Sequence, residues 1–227
     1  MTTTKQASPT RAQRQIIRDV FSQLDAHFGP LHWWQDHKPF EVMVGAILVQ
    51  NTAWTNVEKA LKNLGDELNP LSITNMPEPE LAEKIRPSGY YNQKAKKLKS
   101  LVQWYCKYNF QIEQVRKEEA SLLRQELLDI NGVGNETADA ILVYAIKKPS
   151  FVVDAYTRRI FSRYGLDVPT KYQDFQSLLE STFAKDLDVY AQYHGLMVEH
   201  AQQYCKKIPQ CSGCPLEEKC VQKEITK

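Results

Sequence analysis

The sequence has no apolar run long enough to cross a bilayer, and its first dozen residues, MTTTKQASPTRA, lack the apolar segment of a secretory signal. We therefore expect a soluble, folded protein of the cytosol without a membrane partner. An excess of charge is also missing, because the formal net charge is only +2. This balance neither requires nor excludes a polyanionic partner, since nucleic-acid binding depends on how Lys and Arg are clustered.

Strand patterns are almost absent. The short run Phe151-Val152-Val153 is the one strand-like segment, whereas apolar residues elsewhere recur at helical spacing. The sequence shows no internal repeat, and an apolar fraction of 42% in 227 residues suffices for one large core or two small ones. We predict an all-α chain of about ten helices, near residues 16–28, 39–49, 57–64, 78–86, 92–108, 116–128, 135–146, 155–164, 171–183 and 187–204.

Cysteine is scarce outside the C-terminal tail, where four of the five cysteines form the pattern C-x5-C-x2-C-x5-C at Cys205, Cys211, Cys214 and Cys220. Four thiols in sixteen residues of a cytosolic protein indicate one metal site with four cysteine ligands. Zinc sites of this type usually have two C-x2-C pairs, so a [4Fe–4S] cluster fits better, although zinc or a metal-free tail remains an alternative. Cys106 is predicted to be a buried thiol within a helix.

The stretch LLDINGVGNETADAILVYA, residues 127–145, contains two helical segments joined by the turn Asn131–Gly134. A Gly-x-Gly turn that opens into a helix presents backbone N–H groups to an anion without an intervening Cβ. A helix followed by GVG and a second helix is typical of the helix-hairpin-helix motif. This motif binds DNA phosphates without recognising the base sequence. The alternative is a hairpin whose glycines serve only the tight turn.

The next landmark is FVVDAYTRR, with Asp154 twenty residues after Gly134. A hairpin followed by a loop and an acid that begins a new helix resembles the endonuclease III, or helix-hairpin-helix-GPD, superfamily of DNA glycosylases. The resemblance runs from about residue 35 to the end of the chain, and it implies that Asp154 is the catalytic acid. Asp154 also suits a helix N-cap, and both roles are compatible.

The resemblance implies an all-α, two-lobed helix-hairpin-helix DNA glycosylase fold with a C-terminal [4Fe–4S] cluster loop and a DNA cleft between the lobes. The expected domains are a disordered N-terminus (1–12), a helical barrel (36–146) with its hairpin (127–146), and a second lobe (13–35 plus 147–227) with the cluster loop (205–220). The family's cluster loop has one residue more in its first gap. We assign the cluster a structural and DNA-positioning role, with Lys206 and Lys207 nearby.

Glu136 bears on the choice between hydrolysis and strand cleavage. Bifunctional members of the family carry a lysine just before the Thr-Ala of the second hairpin helix, and its amine forms a Schiff base with the sugar. Here the run is GVGNETA, and Glu136 stands in that place. A carboxylate cannot form an imine, so we predict a monofunctional enzyme that uses water. The alternative is that Glu136 serves only the dipole of its helix.

The base pocket is predicted from tryptophans. Adenine glycosylases of the superfamily need a glutamate as a second acid, and Ala46 occupies the aligned place, so bases that arrive already cationic are favoured. The chain most resembles the 3-methyladenine branch, through FEVMVGAILVQNTAW and IRPSGYYNQKAKKL. That branch has pocket aromatics where this chain has Trp33, Trp34 and Trp54, which would stack on alkylated purines. Tryptophans also fill cores, and Gln35 replaces a proline of the branch.

Further residues match the family's DNA contacts. Gln50 matches the residue that fills the gap left by the flipped nucleotide, and Tyr90, with Asn92 beside it, matches the wedge in the opposite strand. The lysines that follow, Lys94, Lys96, Lys97 and Lys99, are placed to neutralise phosphates or form a solvated helix face. The predicted hairpin contacts are Gly132, Val133, Gly134 and Thr137.

The sequence therefore predicts a monomeric base excision repair enzyme that acts on double-stranded DNA containing a damaged base and hydrolyses the N-glycosidic bond through Asp154. One rival is an oxidised-pyrimidine glycosylase with AP lyase activity. Another rival, from a different class, is a non-catalytic DNA-damage binder that uses the same hairpin.

Overall fold

The computed structural model describes residues 9–31, 33 and 37–221. The described residues form twelve α-helices and no β-strand, which confirms the all-α prediction. None of these helices is both long and apolar enough to cross a membrane. The chain divides into two compact units, one made of Met1–Trp33 and Ser150–Lys227 and the other of Trp34–Pro149.

The helices are α1 (Arg11–Phe28), α2 (Pro39–Leu48), α3 (Trp54–Leu64), α4 (Pro70–Asn75), α5 (Glu78–Lys84), α6 (Tyr91–Cys106), α7 (Ile112–Lys117), α8 (Ala120–Leu128), α9 (Asn135–Ala140), α10 (Ala155–Tyr164), α11 (Tyr172–Glu180) and α12 (Leu187–Gln203). Helix α9 continues as a π-helical segment over Ile141–Ile146.

Helix α2 is the centre of the Trp34–Pro149 unit. Its sequence, PFEVMVGAIL, is apolar on nearly every side, and eight of its ten residues are buried. A helix that is hydrophobic all round must be enclosed by others. Helix α2 accordingly packs against α3, α6, α9 and the π-helical segment.

The hairpin of this unit is held together by a partly buried ion pair. Helix α8 ends at Leu128, and α9 begins at Asn135 after the glycine turn. The guanidinium of Arg124 donates to both carboxylate oxygens of Asp139, at 2.8 and 2.9 Å, and to Oδ1 of Asn135 at 2.9 Å. Because this two-point geometry is specific, it fixes the angle between the two hairpin helices.

The other unit is built on α12. This helix packs against α1 and α10, and its buried Tyr193 donates a hydrogen bond from its hydroxyl to the carbonyl of Ile17 at 2.7 Å. The aromatic rings of Phe21, Phe151 and Phe161 surround Tyr193. The cysteine tail follows α12 directly.

Several boundaries differ from the sequence prediction. Helix α1 begins at Arg11, within the predicted N-terminal tail, because Thr10 and Gln13 form a capping box that fixes its first turn. Residues 1–8 of that tail lie outside the described part of the chain. The helix predicted over 116–128 is instead α7 and α8, separated at Glu118 and Glu119, which are both extended.

Two further predictions were incomplete or wrong. Helix α4 was missed, although Asn69-Pro70 is a helix start signal, and the Asn69 side chain accepts a hydrogen bond from the Ser72 amide at 2.8 Å. Cys106 is the last residue of α6 and is exposed, so the prediction of a buried thiol was wrong. The last turn of a helix has fewer neighbours to cover it than the middle.

Candidate functional site

The segment before Asp154 is extended, buried and fixed by α11. No strand pairs with it in the described chain, so side chains satisfy its backbone groups. The amide of Val153 donates to the hydroxyl of Tyr172 at 3.0 Å, and the side-chain amide of Gln176 donates to the carbonyl of Phe151 at 2.8 Å. These bonds set the position at which α10 begins.

Asp154 is the N-cap of α10 and is only 7% exposed. Its Oδ1 accepts hydrogen bonds from the amide of Thr157 at 2.6 Å and from the hydroxyl of Thr157 at 2.7 Å. Its Oδ2 faces Nε2 of His194 at 3.8 Å. The geometry confirms the N-cap role, and the second oxygen stands apart from the cap, which leaves the predicted catalytic role open to test.

His194 also contacts Trp33. The two rings meet edge to face, with centroids 6.0 Å apart. Gly195 lies close to Leu31, because a Cβ there would be 3.0 Å from Cδ1 of Leu31, whereas its distance of 3.8 Å from Cδ2 of Trp33 would be an ordinary contact. His194, in the middle of α12, thus contacts both the predicted catalytic acid and one predicted pocket aromatic.

The remaining predicted pocket residues are Trp34 and Trp54. Trp34 and Gln35 fall outside the described residues. Trp54 is the partly exposed first residue of α3 and belongs to the Trp34–Pro149 unit. Ala46, at the place of the absent second acid, is buried in α2.

In the Trp34–Pro149 unit, Gln50 lies on the hairpin. Its side-chain amide donates to the carbonyl of Gly132 at 3.2 Å and to the hydroxyl of Thr137 at 3.0 Å. Its Oε1 accepts a hydrogen bond from Nζ of Lys97 at 2.6 Å. The structure therefore joins the predicted gap-filling residue, the hairpin and one predicted phosphate-binding lysine.

The two hairpin glycines differ in conformation. Gly132 has φ +84°, and a Cβ at this position would collide with the methylene groups of Lys97. Gly134 has φ −94° and ψ 179°, an extended conformation that any residue adopts. Gly134 is exposed, and nothing lies within 4 Å of the place of its missing Cβ. Open space above Gly134 is what the close approach of an anion requires.

Three residues that the sequence predicts as DNA contacts make contacts within the protein. Lys94 is 1% exposed, and its Nζ donates to the carbonyls of Leu48 at 2.8 Å and Ser88 at 2.6 Å, so it fastens the loop before α6 to the end of α2. The amide of Val133 is used inside the turn and its side chain is buried, while the buried Thr137 hydroxyl accepts from Gln50.

Lys99 also bonds within the protein. Its Nζ donates to the carbonyls of Ile73, Thr74 and Met76 at the end of α4. Lys96 remains exposed, as do Asn92 and Tyr90, whose ring is 65% exposed. Burial, together with the nearby charge of Lys97, lowers the pKa of Lys94 to about 8.

Glu136 is exposed in the first turn of α9, a position that favours an acid because of the helix dipole. The sequence alternative that Glu136 serves its helix is thus compatible with the structure. No lysine shares this turn.

The four tail cysteines line one pocket, together with apolar residues that include Ile160 and Leu216. Arg163 fastens this loop to α10, because its guanidinium donates to the carbonyls of Lys206 at 2.6 Å and Lys207 at 2.9 Å. Burial raises the pKa of the Cys214 thiol to about 11. Burial therefore favours the neutral thiol over the thiolate at this position. Among the described residues, no three His, Cys, Asp or Glu side chains are grouped as ligands of one metal ion.

Sequence reasoning missed His194, Thr157 and the link from Lys97 to Gln50. Thr157 had a partial signal, because an Asp at an N-cap accepts a hydrogen bond from the backbone amide two or three residues later. His194 lies forty residues after Asp154, and Gln50 bonds to a residue 82 positions away. Spacing along the chain carries no information on such long-range contacts.

Comparison with known proteins gives consistent results. Residues 44–185 match the family described as HhH-GPD superfamily base excision DNA repair protein. A protein of Methanocaldococcus jannaschii with the provisional name DNA repair glycosylase is 44% identical over 214 residues, which cover 92% of this chain and 97% of that protein.

Solved structures agree. The 3-methyladenine DNA glycosylase MagIII of H. pylori, bound to 1,N6-ethenoadenine, has a TM-score of 0.71 and 33% identity, with coverage of 84% of this chain and 97% of that one. A non-covalent endonuclease III–DNA complex has a TM-score of 0.79 and 26% identity, with coverage of 92% and 96%. The chain belongs to the HhH-GPD superfamily and is a DNA glycosylase of base excision repair.

Proposed function

We propose that this protein is a monofunctional DNA glycosylase that removes alkylated purines of the 3-methyladenine type from double-stranded DNA. The observation that carries this proposal is the carboxylate of Asp154, which is fixed at Oδ1 by Thr157 and keeps Oδ2 apart from the cap. A carboxylate that is held rigidly by one oxygen, with its second oxygen outside the cap, suits a reaction in which a preorganised negative charge stabilises the transition state.

Asp154 acts on the sugar in this proposal. Breaking the bond between C1′ and the base nitrogen builds positive charge on the sugar, and the carboxylate stabilises that charge. A water molecule then bonds to C1′ and gives up a proton, and the products are the free base and an abasic site. Because an alkylated purine is already cationic, it leaves as a neutral base without a general acid.

Two positions support hydrolysis of a cationic base. Glu136, exposed in the first turn of α9, replaces the lysine of bifunctional relatives and offers no amine for a Schiff base. Buried Ala46 replaces the second acid of adenine glycosylases. The likeness to a 3-methyladenine DNA glycosylase supports the same substrate class, and Trp33, Trp34 and Trp54 are the proposed stacking residues.

We assign DNA binding to Gly132 and Gly134 of the hairpin, with Gln50 filling the gap left by the flipped base and Tyr90 and Asn92 at the opposite strand. The exposed position and left-handed backbone of Tyr90 support its role, because a bulky residue seldom adopts that conformation without a functional reason. The open space above Gly134 supports a phosphate contact.

The tail fits a [4Fe–4S] cluster in ligand type and number, with Cys205, Cys211, Cys214 and Cys220 around one pocket. When bound, the cluster would tie the loop together and supply a positive partner for buried thiolates. We assign the cluster no role in bond cleavage. Iron and sulfide analysis of anaerobically purified protein tests this assignment, and C211S should lose iron while zinc-only protein would contradict it.

The decisive experiment replaces Asp154 with asparagine, whose Oδ1 accepts the same two hydrogen bonds from Thr157. Asp154→Asn should lower base release from methylated duplex DNA by roughly 100-fold or more, with unchanged binding to a duplex that carries an abasic-site analogue. Released bases are identified by mass spectrometry. Asp167→Asn, an exposed acid outside the motifs, serves as the control.

The endonuclease III likeness favours one rival, an oxidised-pyrimidine glycosylase with AP lyase activity. Borohydride trapping of a covalent protein–DNA adduct would establish lyase chemistry and overturn hydrolysis. Release of oxidised pyrimidines alone would overturn the alkylpurine assignment. Full base release by the Asp154→Asn protein would show that Asp154 has no catalytic role. A wild-type protein that binds damaged DNA but releases no base would indicate the non-catalytic binder.

A further inference from the structure

His194 is held firmly beside Asp154. Its neighbour Tyr193 is fully buried and bonded to the carbonyl of Ile17, and Gly195 packs against Leu31 and Trp33. The His194 side chain is 12% exposed. The backbone of α12 and the edge of the Trp33 ring thus define where the imidazole lies.

The two oxygens of Asp154 differ in their surroundings. Oδ1 accepts the two hydrogen bonds from Thr157, whereas Oδ2 faces Nε2 of His194 at 3.8 Å. This separation is too long for a direct hydrogen bond. It matches two acceptors that share one water molecule, each about 2.8 Å from the water oxygen.

Burial favours the uncharged form of this imidazole. Burial lowers the pKa of His194, and the attraction of Asp154 opposes this effect only in part. A neutral ring adds no positive charge next to a sugar that is itself becoming positive. An unprotonated ring nitrogen can also accept a hydrogen bond.

We propose that Nε2 of His194 and Oδ2 of Asp154 together hold the water that attacks C1′, which makes His194 a catalytic residue. This inference rests on the proposed hydrolytic function. The water donates one O–H to Nε2 and the other to Oδ2, so its lone pair is directed away from both groups. As the base leaves with the electrons of the C1′–N bond, the water oxygen bonds to C1′ and its proton passes to Oδ2.

Two amide variants test this arrangement. Glutamine at position 194 extends an acceptor to about the place of Nε2, whereas asparagine is one methylene too short. His194→Asn should lower the single-turnover rate of base release from methylated duplex by about 10- to 100-fold, because a misplaced group of this kind costs that much. His194→Gln should stay within about threefold of the wild type. Abasic-analogue binding and unfolding temperature should be unchanged in both.

A second readout separates water holding from a structural role. Methanol has one O–H and satisfies one acceptor, so a site with two acceptors selects water. In buffer that contains methanol, His194→Asn should raise the ratio of methyl glycoside to abasic product, and His194→Gln should not. A merely structural role would lower the total rate and leave this ratio unchanged.

The outcomes are distinguishable. If the Asp154→Asn protein is inactive but His194→Asn changes neither rate nor product ratio, the His194 assignment is overturned and the hydrolase proposal stands. Equal loss in the asparagine and glutamine variants with an unchanged ratio also overturns it. If Asp154→Asn keeps full activity, or wild-type protein releases no alkylated base, the proposed function fails and this inference fails with it.

Discussion

Gly132 and Gly134 belong to the same turn but are glycines for different physical reasons. Gly132 is required by the fold, since its φ of +84° is left-handed and Lys97 packs where a Cβ would lie. Gly134 has an ordinary backbone and empty space beside it. The missing side chain at Gly134 therefore leaves room for a bound group such as a DNA phosphate. We expect substitutions at Gly132 and Gly134 to have different effects.

Gly134→Ser should weaken DNA binding without loss of stability. Serine is a good N-cap, so the free energy of unfolding should stay within about 0.5 kcal/mol of the wild type. Its hydroxyl competes with a phosphate for the amides at the start of α9, and the Kd for duplex DNA should rise about tenfold. Fluorescence anisotropy and urea unfolding measure the two effects.

Gly132→Ala is the matched comparison, with a stability loss of roughly 1–3 kcal/mol expected from the left-handed backbone and the collision with Lys97. Unchanged DNA affinity in Gly134→Ser would show that no phosphate approaches the turn there. The assignment of the hairpin as the phosphate contact would then be lost.

Lys94 should make stability depend on pH. The unfolded chain holds this proton up to a pH near 10.5, whereas the folded chain releases it near 8. Since the unfolded state binds more protons between these values, the free energy of unfolding rises with pH in this window. The neutral amine still has two N–H groups for the carbonyls of Leu48 and Ser88.

We expect the wild type to gain roughly 2 kcal/mol relative to Lys94→Met between about pH 7.5 and about pH 9.5. Urea unfolding at the two pH values measures this difference. Buried tyrosines with raised pKa values, such as Tyr190 and Tyr193, affect stability only above this window and equally in both proteins. Parallel pH slopes in the two proteins would contradict a depressed Lys94 pKa.

At the scale of the helix, α6 begins with a strained residue. Tyr90 is its N-cap, with φ +47° and ψ 31°, and makes no side-chain capping bond. A left-handed conformation costs about 1–2 kcal/mol for a bulky residue, whereas asparagine tolerates it and caps helices well. Tyr90, the residue proposed to wedge the opposite DNA strand, therefore destabilises the start of α6.

Tyr90→Asn should raise the free energy of unfolding by roughly 0.5–1 kcal/mol and lower base release from duplex DNA. Release from a methylated single-stranded oligonucleotide should be unaffected, because no opposite strand needs opening. Tyr90→Phe keeps the ring and should behave as the wild type in both assays. Equal activity of Tyr90→Asn on duplex would exclude the wedge role.

Individual helices also show which features of the structure can be predicted from the sequence. Apolar periodicity predicted the helical class, and the GVG turn, Asp154 and the cysteine spacing were visible because each depends on residues close in the chain. Lys94 was misassigned, because helix periodicity does not reveal that a charged side chain reaches inward to two carbonyls. His194 was missed because its relation to Asp154 exists only after α12 packs on α10.

The whole molecule has little net charge for a DNA-binding protein, at +2. Its affinity must therefore come from a few placed contacts rather than from a general attraction. Backbone amides of a hairpin bind phosphate without adding a positive charge, whereas each lysine that pairs with a phosphate releases counterions. Lys206 and Lys207 have exposed side chains on a loop whose carbonyls are held by Arg163.

This distinction predicts the salt dependence of DNA binding. Each lost lysine–phosphate contact should reduce the slope of log K against log salt by about 0.9, so the double substitution Lys206→Ala and Lys207→Ala should flatten it by about 1–2. The exposed pair Lys59→Ala and Lys62→Ala, outside the motifs, should leave the slope unchanged. Gly134→Ser should lower affinity at every salt concentration by the same factor, because it removes no charge. Anisotropy titrations across a salt series measure all three, and equal slopes in the two lysine pairs would show that the cysteine loop does not contact the DNA backbone.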